Sequence, residues 1–494
     1  MKNTTKAFLA LLFLLFLSLQ LFFTLQSTHF TYDSYHDYRH VSNILETGTP
    51  LFDDDLGSLG KTYTFSPLYH YILAGFALIF GEVLTLQIMP SIFIATTPLL
   101  IYFIAFKATS NETTSLLAAS LSLATPTLLA VSANSLTVLQ LLIPSLLLCT
   151  YFFSLLSKGR RYLYYTLATL LFSVLLSPLT LIYIFGLIIY ILLIKAQNIR
   201  ESKREPEVVI SSFFFATWFN LLLYRDVLSF HGFAALRNNV PDFALSTLFP
   251  SFTLQGLING VGLAGLILGL ISSYLYFVED KRKLATLLIS LIFVPVSFLV
   301  FRYLSLNFAY SLIGALLCAL SVYSITFFFN YSNKLKIYEA QKLFMFLLLL
   351  IIGLSMFYSY FQIANESSKI PPQEDVRAMT YLSNLNGSVV LAPALEGAAI
   401  AHYASKKTVL DSNYLMQRNI DRRYQDINKV YTTPFITDLI QITDSYNVDY
   451  IFLSKNTQEE LNISSLRVDN AQCVSLIYDD LAKIYAVNCS TVTM

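Results

Sequence analysis

The chain has 494 residues, of which 55% are hydrophobic and only 13% are charged, and its mean hydropathy is +0.60. Ordinary globular chains carry about 25% charged residues, so a soluble globular enzyme is excluded for most of this sequence. The 40 Phe and 32 Tyr exclude a disordered chain. A formal net charge of +1 provides no basic field, so we expect no nucleic-acid partner.

Apolar runs of membrane-spanning length recur between Ala7 and Tyr360. A helix needs about 20 apolar residues to cross about 30 Å of hydrocarbon. The run 67–81 is short and contains His70, so we expect it to lie on the outer membrane interface. We predict eleven spans, near 7–26, 83–106, 114–132, 136–156, 162–177, 179–195, 208–224, 254–277, 285–301, 306–329 and 343–361.

The segments that join these spans carry Lys and Arg unevenly. With a cytoplasmic amino terminus, the inner segments hold sixteen of these residues and the outer loops hold five. This bias predicts a multi-pass protein of the cell membrane with that orientation and an extracytoplasmic carboxy-terminal region. The first span could instead be a cleaved signal peptide. Its long apolar stretch and the lack of a small-residue cleavage site before His29 favour an uncleaved anchor.

The composition changes near Glu366, where charged residues become frequent and short strand-like runs alternate with helical patterns. We therefore predict two domains, a transmembrane domain over 1–365 and a small α/β extracytoplasmic domain over 366–494. Cys473 and Cys489 flank a predicted hairpin in the second domain. A disulfide and two buried thiols both fit this pattern. The fold class is thus a polytopic α-helical membrane protein with an appended α/β domain.

The outer loop 27–82 is the longest loop between spans and the richest in ionisable side chains. If its first part is helical, Asp33, His36, Asp37 and His40 share one face, because they are three or four residues apart. Arg39 and Glu46 would then share another face. Ionisable groups are costly to hold beside lipid, and this cost favours a functional site.

A triple carboxylate, Asp53-Asp54-Asp55, follows the predicted helix and precedes a loop that contains Lys61. Acidic turns are also common solvated features of exposed loops, so this part of the pattern alone does not decide for function. We expect Lys61 to be a solvated loop charge.

The stretch Asp33-Ser34-Tyr35-His36-Asp37-Tyr38-Arg39 resembles the acidic motif in the first outer loop of the GT-C superfamily of membrane glycosyltransferases. It is most similar to D-x-Y-x-x-x-R in oligosaccharyltransferase catalytic subunits and their archaeal relatives. The segment 65–70 looks like the juxtamembrane segment of protein O-mannosyltransferases and of the aminoarabinose transferase. The motif-level likeness covers roughly residues 1–110, and elsewhere the architecture is similar.

The resemblance implies an integral-membrane glycosyltransferase that uses a polyprenyl- or dolichyl-phosphate-linked sugar as its donor. The sugar would pass to a protein, lipid or glycan acceptor on the outer face, and a single displacement would invert the anomeric centre. Asp33 is then the candidate general base, or a ligand of Mg²⁺ or Mn²⁺ together with Asp53, Asp54 or Asp55. Four further residues are expected to support the site, namely His36, Asp37, Glu46 and His70.

Two arginines are candidates for binding the donor phosphate, which a forked guanidinium matches well. Arg302 lies at the predicted outer boundary between the ninth and tenth spans and resembles the arginine that contacts lipid phosphate in several GT-C enzymes. It could instead anchor the chain among headgroups beside Tyr303. Arg39 is the second candidate, with a pair to Glu46 or Asp33 as its structural alternative.

The sequence departs from the family pattern at two places. Trp218 is the single tryptophan, so the W-W-D-Y-G acceptor motif of oligosaccharyltransferases is absent, which argues against transfer to the Asn of a sequon. The loop after the third span has no acidic residue where many relatives carry a second acidic motif. Asn134 could replace it as a neutral ligand, and a metal-free site or an inactive homologue also fits. Asp411 could help to bind the acceptor, although a salt bridge within its domain is the simpler expectation.

Two other classes of function remain open at this point. A transporter or flippase of lipid-linked sugars predicts ionisable residues deep within spans, yet the predicted spans carry almost none away from their ends. A non-catalytic membrane scaffold would use its outer domain to bind a partner. No P-loop, nucleotide-binding glycine fingerprint or HExxH motif is present in the sequence.

Overall fold

The structure is a computed structural model that describes residues 2–199, 202–242, 244–245, 249–278, 282–334, 340–366, 369–468 and 473–489. The chain divides into two compact units. Residues 29–64, which were predicted to belong to the transmembrane domain, pack within the unit that contains the carboxy-terminal residues. The first unit comprises Met1–Thr28, Phe65–Arg225 and Thr247–Ser367, and the second comprises His29–Thr64, Asp226–Ser246 and Ser368–Met494.

The first unit is helical and apolar, as predicted. Among the residues that the structure describes, seven helices are long and apolar enough to cross a membrane, or eight if one bent pair counts as a span. The helices of this unit are Asn3–Thr24, Leu68–Phe80, Glu82–Ala95, Thr97–Thr109, Glu112–Ser120, Pro126–Ala130, Leu139–Ser154, Arg160–Leu176, Thr180–Ala196, Arg204–Leu223, Leu254–Val261, Leu263–Val278, Lys283–Val300, Leu306–Leu320, Val322–Lys334 and Ala340–Glu366.

Every predicted span overlaps helix, but two of them are not simple spans. The predicted span 114–132 is broken into short helices, because Pro126 has no N–H to continue the ladder and Thr125 is extended. The predicted span 254–277 bends by 106° at Gly262. This glycine has φ +88°, and a Cβ there would lie 2.2 Å from the carbonyl oxygen of Ala124. The number of eleven crossings therefore stays a prediction.

Side-chain amides fasten the first helix to the rest of the first unit. Asn134, which is buried, donates from Nδ2 to the carbonyl oxygen of Phe23 at 3.0 Å. Gln20, also buried, donates from Nε2 to the carbonyl oxygen of Leu128 at 3.2 Å. Such bonds satisfy polar groups where lipid offers none. The amide nitrogen of Asn134 therefore has a structural partner in the first helix.

The second unit contains a five-stranded sheet and a short two-stranded ribbon. In the ribbon, Asp53 lies opposite Thr62 and Asp54 opposite Lys61. The strands are β1 Asp53–Asp54, β2 Lys61–Thr62, β3 Val389–Leu391, β4 Lys407–Thr408, β5 Tyr450–Leu453, β6 Val474–Asp479 and β7 Lys483–Val487. The sheet has the order β4-β3-β5-β7-β6, in which β3 pairs in parallel with β4 and β5 and the other pairs are antiparallel.

Helices cover this sheet and close its core. Leu391, Leu439 and Ile451 are fully buried members of that core. Cys473 and Cys489 flank the hairpin β6–β7 and form a disulfide, so the structure decides between the two readings that the sequence left open. The helices of the second unit are Ser34–Thr47, Arg225–His231, Gln373–Ser383, Gly397–Tyr403, Ile420–Thr432, Ile436–Tyr446 and Lys455–Leu461.

Candidate active site

The acidic motif forms a helix, here called the motif helix (Ser34–Thr47), and Asp33 is its N-cap. The helix ends at Gly48, whose φ of +80° is the left-handed conformation that glycine adopts without steric cost. Val41 and Ile44 are buried and hold the helix in the second unit. The predicted helical segment is therefore confirmed, and the candidate base Asp33 is the residue directly before it.

Asp33 is exposed to solvent, yet desolvation by the surrounding protein raises the pKa of its carboxyl group. A hydrogen bond from the Ser412 side chain and the charge of Lys369 oppose this rise, while Asp37 and Asp411 add to it. A carboxylate with a raised pKa is a stronger base than one in bulk water, and it remains accessible to an acceptor.

Arg39 forms a bidentate salt bridge with Asp54. Its Nη1 and Nη2 lie 2.7 and 2.6 Å from Oδ2 and Oδ1 of Asp54, and both side chains are largely buried. The Leu56 N–H and the Tyr63 hydroxyl also donate to this carboxylate. Burial alone would lower the pKa of Arg39, but Asp54 raises it, so the guanidinium stays charged.

This pairing bears on two of the predictions. The structural alternative for Arg39 was a pair with Glu46 or Asp33, and the observed partner is neither of them. Because the fork of Arg39 already holds a carboxylate, its use for the donor phosphate requires breaking a buried pair. Its predicted phosphate role is therefore disfavoured, and Arg302 remains the stronger candidate.

Lys61 is buried and pairs with Asp411, which corrects the expectation that Lys61 is a solvated loop charge. Its Nζ lies 2.6 Å from Oδ1 of Asp411 and 2.6 Å from the carbonyl oxygen of Asn413. Desolvation lowers the pKa of Lys61, and Asp411 opposes that change. Asp411 thus has a salt bridge, but its partner Lys61 comes from the outer loop and not from the segment 366–494, within which the salt bridge was expected. In the sequence, the cluster of acidic residues at positions 53–55 was the one indication that Lys61 has an acidic partner.

The two ion pairs meet at Tyr63. Its hydroxyl lies 3.1 Å from Oδ2 of Asp54 and 3.5 Å from Oδ2 of Asp411. Burial raises the pKa of Tyr63 well above its usual value, so the phenol remains a neutral donor. A Cβ at Gly57 would approach three atoms of these side chains to between 2.7 and 2.9 Å. We call Arg39, Asp54, Lys61, Tyr63 and Asp411 the ion-pair cluster.

The remaining polar residues of the motif helix follow the predicted faces. His36 and His40 lie one turn apart with their Nε2 atoms 3.3 Å from each other, and Nε2 of His36 lies 3.2 Å from Nδ2 of Asn413. Asp37 is half-buried and contributes to the electrostatics of Asp33. Glu46 is exposed at the far end of the helix. Among the residues that the structure describes, no side-chain contact supports the predicted role of Glu46. Asp37 acts on the charge of Asp33, and the N–H of His36 donates to the Asp33 carbonyl oxygen.

His70 and Arg302 belong to the first unit. His70 is buried in its helix and packs edge-on against Phe65, with ring centroids 5.0 Å apart, so its supporting role stays a prediction. Arg302 follows the helix Lys283–Val300 with φ +57°. Its N–H donates to the Leu299 carbonyl, and the next N–H donates to the Phe298 carbonyl, a helix end at which glycine is usual.

The side chain of Arg302 is exposed, and no ion pair or side-chain hydrogen bond joins it to another of the described residues. A non-glycine residue in the left-handed region costs about 1–2 kcal/mol, so this arginine stands where the backbone does not favour it. An available guanidinium kept at a strained position is consistent with the predicted phosphate contact, which stays a prediction.

The four aspartates proposed as metal ligands do not form a common site. Asp54 gives both oxygens to Arg39 and accepts two further hydrogen bonds, while Asp53 and Asp55 are exposed. Among the described residues, no group of three or more His, Cys, Asp and Glu side chains could hold a metal ion. Asp54 is therefore not available as a ligand of Mg²⁺ or Mn²⁺, and a metal shared between Asp33 and Asp53 or Asp55 stays a prediction.

Comparisons with known proteins agree with the helical architecture. Residues 65–220, all within the first unit, match the family model described as dolichyl-phosphate-mannose-protein mannosyltransferase. No curated protein sequence matches the chain. The matched segment covers about a third of the chain and does not include the acidic motif.

Solved structures match nearly the whole chain. The archaeal oligosaccharyltransferase AglB from Archaeoglobus fulgidus, in complex with an inhibitory peptide and a dolichol-phosphate, has a TM-score of 0.70 at 14% identity, covering 92% of this chain and 70% of that one. ArnT from Cupriavidus metallidurans bound to undecaprenyl phosphate has a TM-score of 0.56 at 11% identity, covering 98% and 99%. The mycobacterial arabinofuranosyltransferase AftD has a TM-score of 0.60 at 12% identity, covering 98% of this chain and 42% of that one.

These matches establish the fold of the chain. Identities of 10–15% establish the fold and not the substrate. The fold is shared with GT-C membrane glycosyltransferases. The predicted resemblance to the GT-C superfamily is thereby confirmed at the level of the fold, and the family model agrees with it over the segment 65–220.

Proposed function

We propose that the protein transfers a sugar from a polyprenyl- or dolichyl-phosphate-linked donor to an acceptor on the extracytoplasmic face of the membrane. The fold is shared with enzymes whose structures contain dolichol-phosphate and undecaprenyl phosphate. The observation that carries the proposal is Asp33, an accessible carboxylate whose pKa is raised at the start of the motif helix. The excess of Lys and Arg in the predicted inner segments supports the orientation.

The donor brings its own leaving group, so the protein has three tasks. It must position the acceptor, remove the acceptor proton, and stabilise the departing phosphate. In the proposed step, the acceptor heteroatom bonds to C1 of the sugar as the bond between C1 and the phosphate oxygen breaks. The electron pair leaves on the lipid phosphate, and the acceptor proton moves to Asp33. One such displacement inverts the anomeric centre.

Asp33 suits the role of base because its environment opposes its charge. Desolvation and the charges of Asp37 and Asp411 raise its pKa, which brings its proton affinity closer to neutral pH. A general base works best when its pKa lies near the working pH. The side chain of Ser412 and the charge of Lys369 act in the opposite direction, but the net change is a raised pKa.

Arg302 is the proposed ligand of the donor phosphate. A guanidinium is permanently charged and offers paired N–H donors that match phosphate oxygens. Its side chain is exposed at the end of an apolar helix, where a lipid headgroup is reached most easily. The charge that builds on the leaving phosphate would be stabilised more than the charge of the ground-state diester.

Sugar transfer in proteoliposomes tests the proposal. Purified protein is given polyprenyl-phosphate and dolichyl-phosphate sugars, with the matching nucleotide sugar as the alternative donor. We expect the lipid-linked donor to be consumed and the nucleotide sugar to be inert, with a product of inverted configuration by NMR. The Asp33→Asn variant is expected to be inactive, while Asp480→Asn, at an exposed carboxylate of the same unit, is the matched control and keeps activity. Transfer by Asp33→Asn at the wild-type rate contradicts the proposal.

A further inference from the structure

A cavity of about 100 Å³ lies among the helices Leu263–Val278, Lys283–Val300 and Val322–Lys334 of the first unit. One water molecule needs about 10–15 Å³ of such space, so the cavity is large enough for a phosphate group. We propose that this cavity binds the phosphate of an anionic membrane lipid and that the guanidinium of Arg282 is its cationic ligand. This second site is independent of the proposed transfer reaction.

The cavity lies at one end of these helices. Arg282, which lines it, is the N-cap of the helix Lys283–Val300, and Tyr276 lines it from the last turn of the preceding helix. The neighbouring segments 279–283 and 334–342 are rich in Lys, so the sequence predicts that this end faces the cytoplasm. The cavity is thus placed where membrane helices meet lipid headgroups, and anionic lipids are attracted to basic segments there.

Three side chains of the cavity offer hydrogen-bond donors to a ligand. The guanidinium of Arg282 lies over the ring of Tyr323, 5.3 Å from the ring centroid, and is exposed. It forms no ion pair or hydrogen bond with any of the described residues, and the same holds for the side-chain amide of Asn330 and the hydroxyl of Tyr323. Guanidinium, amide and phenol groups all donate to phosphate oxygens, and the residues that line the cavity include no carboxylate.

Other polar side chains of the cavity are engaged within the protein and hold its wall in place. The hydroxyl of Tyr276 donates to Oε1 of Gln197 at 2.8 Å and lies 2.8 Å from Oγ1 of Thr286. The hydroxyl of Ser272 accepts from the N–H of Ser324 at 3.0 Å. These bonds tie neighbouring helices together, so the shape of the cavity does not depend on a ligand.

The charge and the apolar surface of the cavity together favour a lipid over a free anion. Lys283, the next residue after Arg282, is paired with Glu205 at 2.6 Å, so Arg282 supplies the positive charge. Leu275 and the exposed Phe327 line the cavity beside these donors. The acyl chains of a lipid cover such apolar surface and gain from its burial, whereas an inorganic phosphate ion does not. Basic pockets between membrane helices bind lipid headgroups in this way.

Native mass spectrometry of the full-length protein, delipidated in detergent, tests the proposal through the dissociation constants of added ligands. The probes are phosphatidylglycerol, a polyprenyl monophosphate, phosphatidylcholine and inorganic phosphate. We expect an anionic lipid to bind at least about tenfold more tightly than phosphatidylcholine, and inorganic phosphate not to displace it at equal concentration. Arg282→Gln is expected to weaken the binding of the anionic lipid by at least about tenfold, and Asn330→Ala by about threefold.

Arg161→Gln is the matched control. Arg161 is also an exposed arginine beside a tyrosine ring, 5.0 Å from the centroid of Tyr162, but it does not line the cavity, so this variant is expected to bind the lipid as the wild type does. Unfolding temperatures equal to that of the wild type show that the variants keep the fold.

The two anionic lipids distinguish the source of the phosphate. Tighter binding of phosphatidylglycerol or of the polyprenyl phosphate that depends on Arg282 supports the proposal and identifies the lipid. An Arg282→Gln affinity equal to that of the wild type, an equal loss in Arg161→Gln, or displacement of the lipid by inorganic phosphate overturns it. The measurement needs no sugar transfer, so its result does not depend on the proposed function.

Discussion

The ammonium of Lys61 lies 2.6 Å from the carboxylate of Asp411, although 350 positions separate the two residues in sequence. Both side chains are almost fully buried, so the pair is removed from water and its charges depend on each other. Removal of one partner of such a pair leaves an uncompensated buried charge. The pair therefore links the outer loop to the carboxy-terminal part of the second unit.

Lys61→Met is therefore expected to destabilise the second unit by about 3–5 kcal/mol, because it leaves Asp411 charged and buried. Thermal unfolding of the protein in detergent measures the loss. The double variant Lys61→Met with Asp411→Asn removes both charges and is expected to recover more than half of it. If the single and double variants unfold at the same temperature as the wild type, the pair contributes nothing and its structural role is wrong.

Arg302→Gly separates a functional role of Arg302 from a structural one. Glycine adopts φ +57° without steric cost, so we expect the variant to unfold at the same temperature as the wild type or slightly higher. Because the guanidinium is lost, we expect KM for the lipid-linked donor to rise at least tenfold. Ser110→Gly makes the same backbone change at another helix end, where φ is +55°. Ser110→Gly is expected to change the unfolding temperature as Arg302→Gly does and to leave KM for the donor unchanged. A donor KM that Arg302→Gly does not alter rules out the phosphate contact.

Sugar transfer is expected to survive chelation of divalent metals. The reason is that the carboxylate of Asp54 already accepts hydrogen bonds from Arg39, Tyr63 and the N–H of Leu56 and is therefore not available to a metal ion. Initial rates with and without EDTA measure this, with a metal-dependent glycosyltransferase in the same buffer to show that chelation is complete. A rate that falls with EDTA and returns with Mg²⁺ or Mn²⁺ shows that the site assembles a metal despite these contacts.

Glu396 is expected to make the second unit less stable as the pH rises. It is buried, and its Oε1 accepts from the hydroxyls of Ser454 and Thr457, while desolvation raises its pKa from 4.5 to about 8. The folded state therefore binds a proton that the unfolded state has lost, and stability falls between about pH 4.5 and pH 8. Glu396→Gln is expected to flatten this slope and to stabilise the protein at pH 8. Equal slopes for the variant and the wild type in pH-dependent unfolding contradict this assignment.

The sequence predicted those features of the fold that depend on local pattern. The motif helix follows from spacings of three and four residues that end at Gly48, and the apolar runs of the first unit follow from composition. The disulfide between Cys473 and Cys489 was one of two open readings because hairpin spacing allows the bond without requiring it.

The sequence could not predict the partners that the fold brings together over long distances. Lys61 looked solvated because nothing near it in sequence is its partner, and Arg39 has Asp54 in place of Glu46 because the β1–β2 ribbon turns that carboxylate toward the motif helix. The sharp bend at Gly262 was missed for a similar reason, since it depends on the approach of Ala124. Composition predicts which residues are polar, and tertiary structure decides which of them meet.

The central claim is that Asp33 accepts the acceptor proton, and a single-turnover comparison with separate donor binding tests it most directly. The dissociation constant of the lipid-linked donor and the rate of transfer within the preformed complex are measured for the wild type and for Asp33→Asn. Loss of a general base is expected to slow transfer by about 10²–10⁴-fold while donor binding changes by less than about threefold. Transfer by Asp33→Asn at the wild-type rate, or a loss that lies entirely in donor binding, contradicts the claim.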